Sequence, residues 1–196
     1  MANAAHGSRP HLGVDAILKT GPVLLALDDL NRQLRSGMHP TLGPATLQAS
    51  LIRGGIEEST IPDRCVLTIE RRTLPGETTE DIEREVAQLL ARCRSADAGL
   101  VATSRTTLAR EAFETHDASL IARTLADAAR SVLGWPVPLA GMSYWADSAF
   151  IAAAGIPTVL FGPDGDGAHA EVEWVSLAGT VACAEALTAA AVSFCD

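Results

Sequence analysis

The run Pro157 to Phe161 constrains this chain most, because it reads as a buried strand of the parallel type with no strand near it in sequence. A lone strand cannot close a sheet: its backbone donors and acceptors need neighbouring strands. Its flanks offer helices instead. Asp117 caps one that runs to about Leu133, Ala146 to Ala154 forms a short one stopped by Gly155, and Ser176 to Phe194 forms the last. The half of the chain from Ala109 onward therefore reads as part of something larger.

The first half has a different pattern. Apolar residues return at helical spacing from Val14 to Leu34, with Gly21-Pro22 marking a kink or a restart. Thr46 to Arg53 and Cys65 to Arg72 alternate apolar and polar residues on either side of a Gly-Gly loop and read as two strands. Thr78 precedes Asp81 as a relative of the capping box, and Ile82, Val86, Leu89, Leu90 and Cys93 give a second helix. Gly99 to Leu108 returns to strand character. The order helix, strand, strand, helix, strand is that of a ferredoxin-like split βαβ unit whose first strand is almost missing, with only Met1 to His6 to supply it. The fold class is thus α/β, with an α+β domain over residues 1–108 and an α/β portion over 109–196.

Composition narrows the partners. The 196 residues carry 15 Lys and Arg against 24 Asp and Glu, a net charge of −9, so a nucleic-acid or anionic-membrane surface is not expected. No uncharged apolar run of about 18 residues occurs, and the amino terminus has no basic segment leading into an apolar one, so no membrane span or targeting segment is expected. Cys65, Cys93, Cys183 and Cys195 are far apart and read as buried small hydrophobes in a reducing, cytoplasmic setting.

Several residues could carry chemistry. His169 lies in a glycine-rich loop just past Pro157 to Phe161, where ligands bind in open α/β sheets, with Glu171 and Glu173 close by; it suits a metal ligand or general base, or equally a loop histidine capping the next helix. His6, in a turn of small residues, could donate to a developing oxyanion or be an ordinary surface histidine. Arg72 could grip a substrate carboxylate, or pair with Glu70 or Glu77. Asp164 and Asp166 resemble the start of a calcium loop but lack its later ligands. Ser143, Asp147 and His169 follow the order nucleophile, acid, base, yet Trp145 stands where a nucleophile elbow needs glycine, so coincidence explains them better. Glu57-Glu58 sits in a polar hairpin loop and reads as solvated.

Five blocks in order resemble the zinc-dependent amidohydrolases that include acetylornithine deacetylase, succinyl-diaminopimelate desuccinylase, aminoacylase and glutamate carboxypeptidase. They are Ala5 to Pro10, Ser59 to Asp63, Glu70 to Glu77, Gly155 to Pro163, and Gly167 to Ala170 followed by Glu173-Trp174-Val175. The resemblance implies that residues 1–108 are a lid or dimerisation domain and residues 109–196 the carboxyl-terminal portion of a catalytic domain. It implies that His169 is a metal ligand, Asp147 lies on the substrate side of the cleft, and Arg72 recognises a substrate carboxylate. It implies that His6 reaches into the neighbouring subunit's site to steady the oxyanion.

The departures are equally specific. The family's His-x-Asp motif, bridging Asp and Glu-Glu pair precede the lid, and none of them stands in this sequence; Glu57-Glu58 lies inside the lid hairpin. A catalytic zinc normally takes about three protein ligands, which His169 alone cannot supply. The expectation is a metal-dependent amide hydrolase of a small carboxylated substrate, incomplete and inactive as this chain unless an amino-terminal fragment completes it, and a homodimer through the lid. The competing reading is a non-catalytic dimerising interaction module.

Overall fold

The computed structural model describes residues 3–195, in two units that divide after Ala112. In the first unit, β1 (Ala5–His6) leads through a turn into α1 (Ala16–Leu34), and β2 (Thr46–Gly54), β3 (Thr60–Ile61) and β4 (Cys65–Arg72) precede α2 (Thr79–Ala96). Helix α1 begins where the Asp15 side chain accepts from the Leu18 N–H. It passes through Pro22 as one long helix, as the helical spacing predicts. Helix α2 begins with a complete capping box: Thr78 accepts from the Asp81 N–H, and Asp81 accepts from the Thr78 N–H.

Strands β2 and β4 form an antiparallel hairpin from Thr46 opposite Arg72 to Gly54 opposite Cys65, with a register shift between Ala49 and Leu51. One face meets the helices. Val23, Leu27 and Leu30 of α1, spaced at i, i+4 and i+7, bury against Leu47, Leu89, Leu90, Cys93 and Leu100, with Leu67 and Ile69 packed alongside. Strand β1 pairs antiparallel with β3, Ala5 opposite Ile61 and His6 opposite Thr60; of the first-strand candidates, Met1 and Ala2 lie outside the described residues.

The expected strand Gly99 to Leu108 does not form. Leu100 and Ala102 pack on the core, but no ladder runs along the segment. In a split βαβ order this strand lies beside the first, and the first is two residues long and pairs with β3.

The second unit contains α3 (Leu120–Leu133), α4 (Ser148–Ala153), the two-residue strands β5 (Gly165–Asp166) and β6 (Trp174–Val175), and α5 (Leu177–Cys195). Helices α3 and α5 meet through Leu125, Ala128 and Ala190, with Val159 and Phe161 against them. Ser119, not Asp117, caps α3, accepting from the Ala122 N–H, while the His116 Nδ1 accepts from the Ala118 N–H. Gly134 and Gly155 end α3 and α4 at left-handed φ.

Pro157 to Phe161 is unpaired chain rather than a buried strand, with Thr158, Val159 and Phe161 half-buried and Pro157 and Leu160 exposed. Its bonded anchors include the Thr158 carbonyl, which accepts from the Thr115 hydroxyl. Helix α5 is long and apolar enough to cross a membrane by length and composition, which counting uncharged runs interrupted by Glu185 had passed over. Its buried residues, Ala186 and Ala190, are small, and most of its surface is exposed. Of the cysteines, all unpaired, only Cys93 is buried; Cys65 and Cys183 are half-buried and Cys195 is exposed.

Candidate functional site

His6 is fixed by backbone pairing on both sides. It sits opposite Thr60, the Gly7 N–H donates to the Ser59 carbonyl at 2.7 Å, and the Arg9 N–H donates back to the His6 carbonyl at 2.8 Å. The imidazole Nδ1 accepts from the Ser8 N–H at 3.2 Å, with the Ser8 hydroxyl 2.9 Å away. A backbone donor on Nδ1 places the proton of the neutral ring on Nε2. The exposed edge of His6 therefore presents an N–H, the polarity that an oxyanion requires. The ring opens into a cavity of about 640 Å³, lined also by Ser8, Arg9 and Leu12.

Arg72 stands at the far end of the hairpin, opposite Thr46. It pairs with Glu70 at 2.8 Å, and Glu70 also accepts from the Gln48 side chain at 2.6 Å. The neighbouring Arg71 points the other way and is almost fully covered. Its guanidinium binds Glu77 at 2.6 Å, Glu85 at 3.3 Å and the Arg72 carbonyl at 2.7 Å, while Glu77 also accepts from the Leu74 N–H at 2.6 Å. This buried clamp shapes the turn after β4, and sequence reasoning missed it. The signal was present: alternation places Arg71 on the same face as Leu67 and Ile69, so its charge needed partners.

His6 and Arg72 are not brought together. The β1–β3 pairing adjoins the Gly54–Cys65 end of the hairpin, where the Pro62 carbonyl accepts from the Ala16 N–H and Ile17 abuts Gly54. Arg72 lies at the other end of an eight-residue strand, which spans about 23 Å at roughly 3.3 Å per residue.

In the second unit, Asp147 is an exposed residue at the start of α4 whose carbonyl accepts from the Phe150 N–H, its side chain capping nothing. His169 is exposed in the loop between β5 and β6. It adopts φ +63°, in the left-handed region that non-glycine residues rarely enter. Its N–H donates to Glu173 at 3.3 Å, and the turn before it needs Gly167, where a Cβ would collide with the Val172 carbonyl. Ser143 is exposed, and Trp145 behind it packs edge-on against Phe150, with ring centroids 5.1 Å apart. Asp166 accepts from the Gly167 N–H. Glu57 accepts from the Thr60 hydroxyl. Among the described residues, no three His, Cys, Asp or Glu side chains converge to hold a metal ion, so this donor set does not fit a metal centre by itself.

The chain thus joins an α+β unit carrying an exposed histidine donor to a helical unit carrying a loop histidine in the left-handed region. Residues 2–93 match the peptidase dimerisation domain family. The chain is 26% identical over 196 residues to an acetylornithine deacetylase of Myxococcus xanthus, covering 97% of this chain and 50% of that protein. It is 28% identical over 178 residues to an N-formyl-4-amino-5-aminomethyl-2-methylpyrimidine deformylase of Halalkalibacterium halodurans, covering 82% and 41%. In fold it is similar to an aminopeptidase from Bacillus cereus (TM-score 0.73, 21% identity, 96% of this chain and 48% of that one). A tripeptidase from Staphylococcus aureus is similar too (TM-score 0.71, 20% identity, 96% and 48%). Over residues 2–93 the chain is therefore similar to a peptidase dimerisation domain. It spans about half the length, or less, of the curated relatives named here.

Proposed function

We propose that this chain supplies the dimerisation lid, over residues 1–108, and the carboxyl-terminal part of the catalytic domain, over 109–196, of a metal-dependent amide hydrolase. Its substrate class is an N-acyl amino acid or peptide-like compound with a carboxylate, its setting is the cytoplasm, and its metal is zinc. The observation that carries this reading is the alignment with a deacetylase along 97% of the chain, lid and second unit together. His6 donates Nε2–H to the developing oxyanion, Arg72 receives a substrate carboxylate once released from Glu70, Asp147 lines the substrate side, and His169 is a single metal ligand. The remaining ligands and the general base come from polypeptide other than residues 3–195, where no metal-holding group forms.

The separation of His6 from Arg72 supports a homodimer. A small N-acyl amino acid spans about 10 Å extended, too little to meet both residues of one copy.

Metal content and hydrolysis of an N-acetyl-amino-acid panel test the proposal. The chain alone should hold well under one zinc and show no chelator-sensitive hydrolysis. Mixing with a separately made segment containing a His-x-Asp motif should restore both. Chelator-sensitive hydrolysis by the chain alone would refute its incompleteness. Dimerisation without any restoration would leave the non-catalytic module as the function.

A further inference from the structure

The cavity beside His6 contains a second polar side chain to which the reading above gives no role. Arg9 is held by a turn, its N–H on the His6 carbonyl at 2.8 Å and its carbonyl accepting from the Leu12 N–H at 3.0 Å, so residues 6 and 9 face one opening. The arginines at the other end of the hairpin are neutralised, Arg71 by Glu77 and Glu85 and Arg72 by Glu70. Arg9 is exposed and has no carboxylate partner among the described residues, in a chain whose net charge is −9. A guanidinium lining the same opening as an imidazole N–H donor suits a carbonyl oxygen and a carboxylate of one small ligand.

We propose that Arg9 is a specificity-determining residue: its guanidinium receives a carboxylate carried within a few bonds of the amide whose oxygen meets His6. The substrate class is then N-acyl compounds with the acid group next to the scissile amide, and the neutral amide analogues are disfavoured. Arg72, at the far end of the hairpin, is already paired with Glu70. This assignment rests on the proposed role of His6, and it adds the charge that selects the ligand.

The test follows the His6 ring signals by NMR, in the full chain, during titration with N-acetylglycine and separately with N-acetylglycinamide. His6→Gln identifies the signals among the five histidines. N-acetylglycine should shift them, and the amide should bind about three- to tenfold more weakly. Arg9→Gln should weaken N-acetylglycine by a similar factor and abolish the preference for the acid. Arg92→Gln, an exposed change of equal charge on α2, should leave the titration as in the parent chain. Equal binding of acid and amide, an unaltered titration in Arg9→Gln, or no shift with either ligand overturns the proposal. If Arg72→Gln abolishes the acid preference while Arg9→Gln does not, the carboxylate belongs to Arg72. Restored hydrolysis with a failed titration removes Arg9 and keeps the hydrolase; an intact titration without restorable hydrolysis does the reverse.

Discussion

Replacing Arg71 by methionine should destabilise the first unit far more than the same change at Arg72. The Arg71 side chain is 5% exposed and neutralises Glu77 and Glu85, themselves 30% and 25% exposed. Methionine fills much of the stem's volume but leaves two carboxylates facing each other and the Arg72 carbonyl without its donor. Breaking a fully buried pair costs about 3–5 kcal/mol. Partial access of water to both carboxylates reduces this to roughly 2–3 kcal/mol. For a unit of this size each kcal/mol moves the melting temperature by about 4–8 °C, so the transition should fall by about 10–20 °C. The Arg72–Glu70 pair is 54% and 40% exposed, and Arg72→Met should cost no more than about 1 kcal/mol. Thermal unfolding of both variants, followed by circular dichroism at one pH and salt concentration, measures the difference. If the two variants melt within a few degrees of each other, the clamp does not hold the strand end to α2 and the reasoning fails.

Two further outcomes follow from the same unit. Hydrogen bonds from Lys19 and then from the Gly99 N–H hold the Asp97 carboxyl below the usual range, and the Thr78 hydroxyl and then Arg84 do the same for Asp81. Because the folded values are depressed, this stabilisation is complete above the unfolded value near about 4 and disappears as pH falls through the folded ones. Urea midpoints measured from pH 6 downward should drop in that window, and Asp97→Asn should flatten the drop; an unchanged profile would count against the Lys19 contact. Gly13→Ala places a Cβ 2.9 Å from the Ala5 Cβ and 3.1 Å from Ile61 Cγ2, which should cost about 1–3 kcal/mol. Hydrogen exchange at the Gly7 N–H should then accelerate, reporting a loosened β1–β3 pairing beside His6.

The sequence displayed the elements that are stabilised locally and misjudged those that depend on partners. Strand β4 has the bounds that alternation gave it, and α2 starts at its capping box, because cap and pattern lie within the element's own residues. Gly99 to Leu108 and Pro157 to Phe161 have strand composition, yet a strand exists only through a neighbour's backbone, and these segments have none. The α3 cap falls on Ser119 rather than Asp117 because the helix starts at Leu120 and the Ser119 hydroxyl accepts from the Ala122 N–H, a choice between two capping residues that residue types alone do not rank. At the candidate site, motif matching nominated His6 and His169, and spacing offered Glu70 and Glu77 as partners of Arg72, of which Glu70 takes it. Nothing in the motifs pointed to Arg9 lining the opening beside His6.

The hairpin gives these residues their meaning, because it sets a distance. His6 and Arg9 lie beyond one end of the hairpin and Arg72 at the other, and strand β4 alone spans about 23 Å. A small substrate bridges about half of that. Under the proposed function, a substrate that meets both His6 and Arg72 must therefore meet residues of two copies. The lid's dimerising role and its chemical role are then the same requirement: a monomer can carry every one of these side chains and still be unable to bring them to a single amide bond.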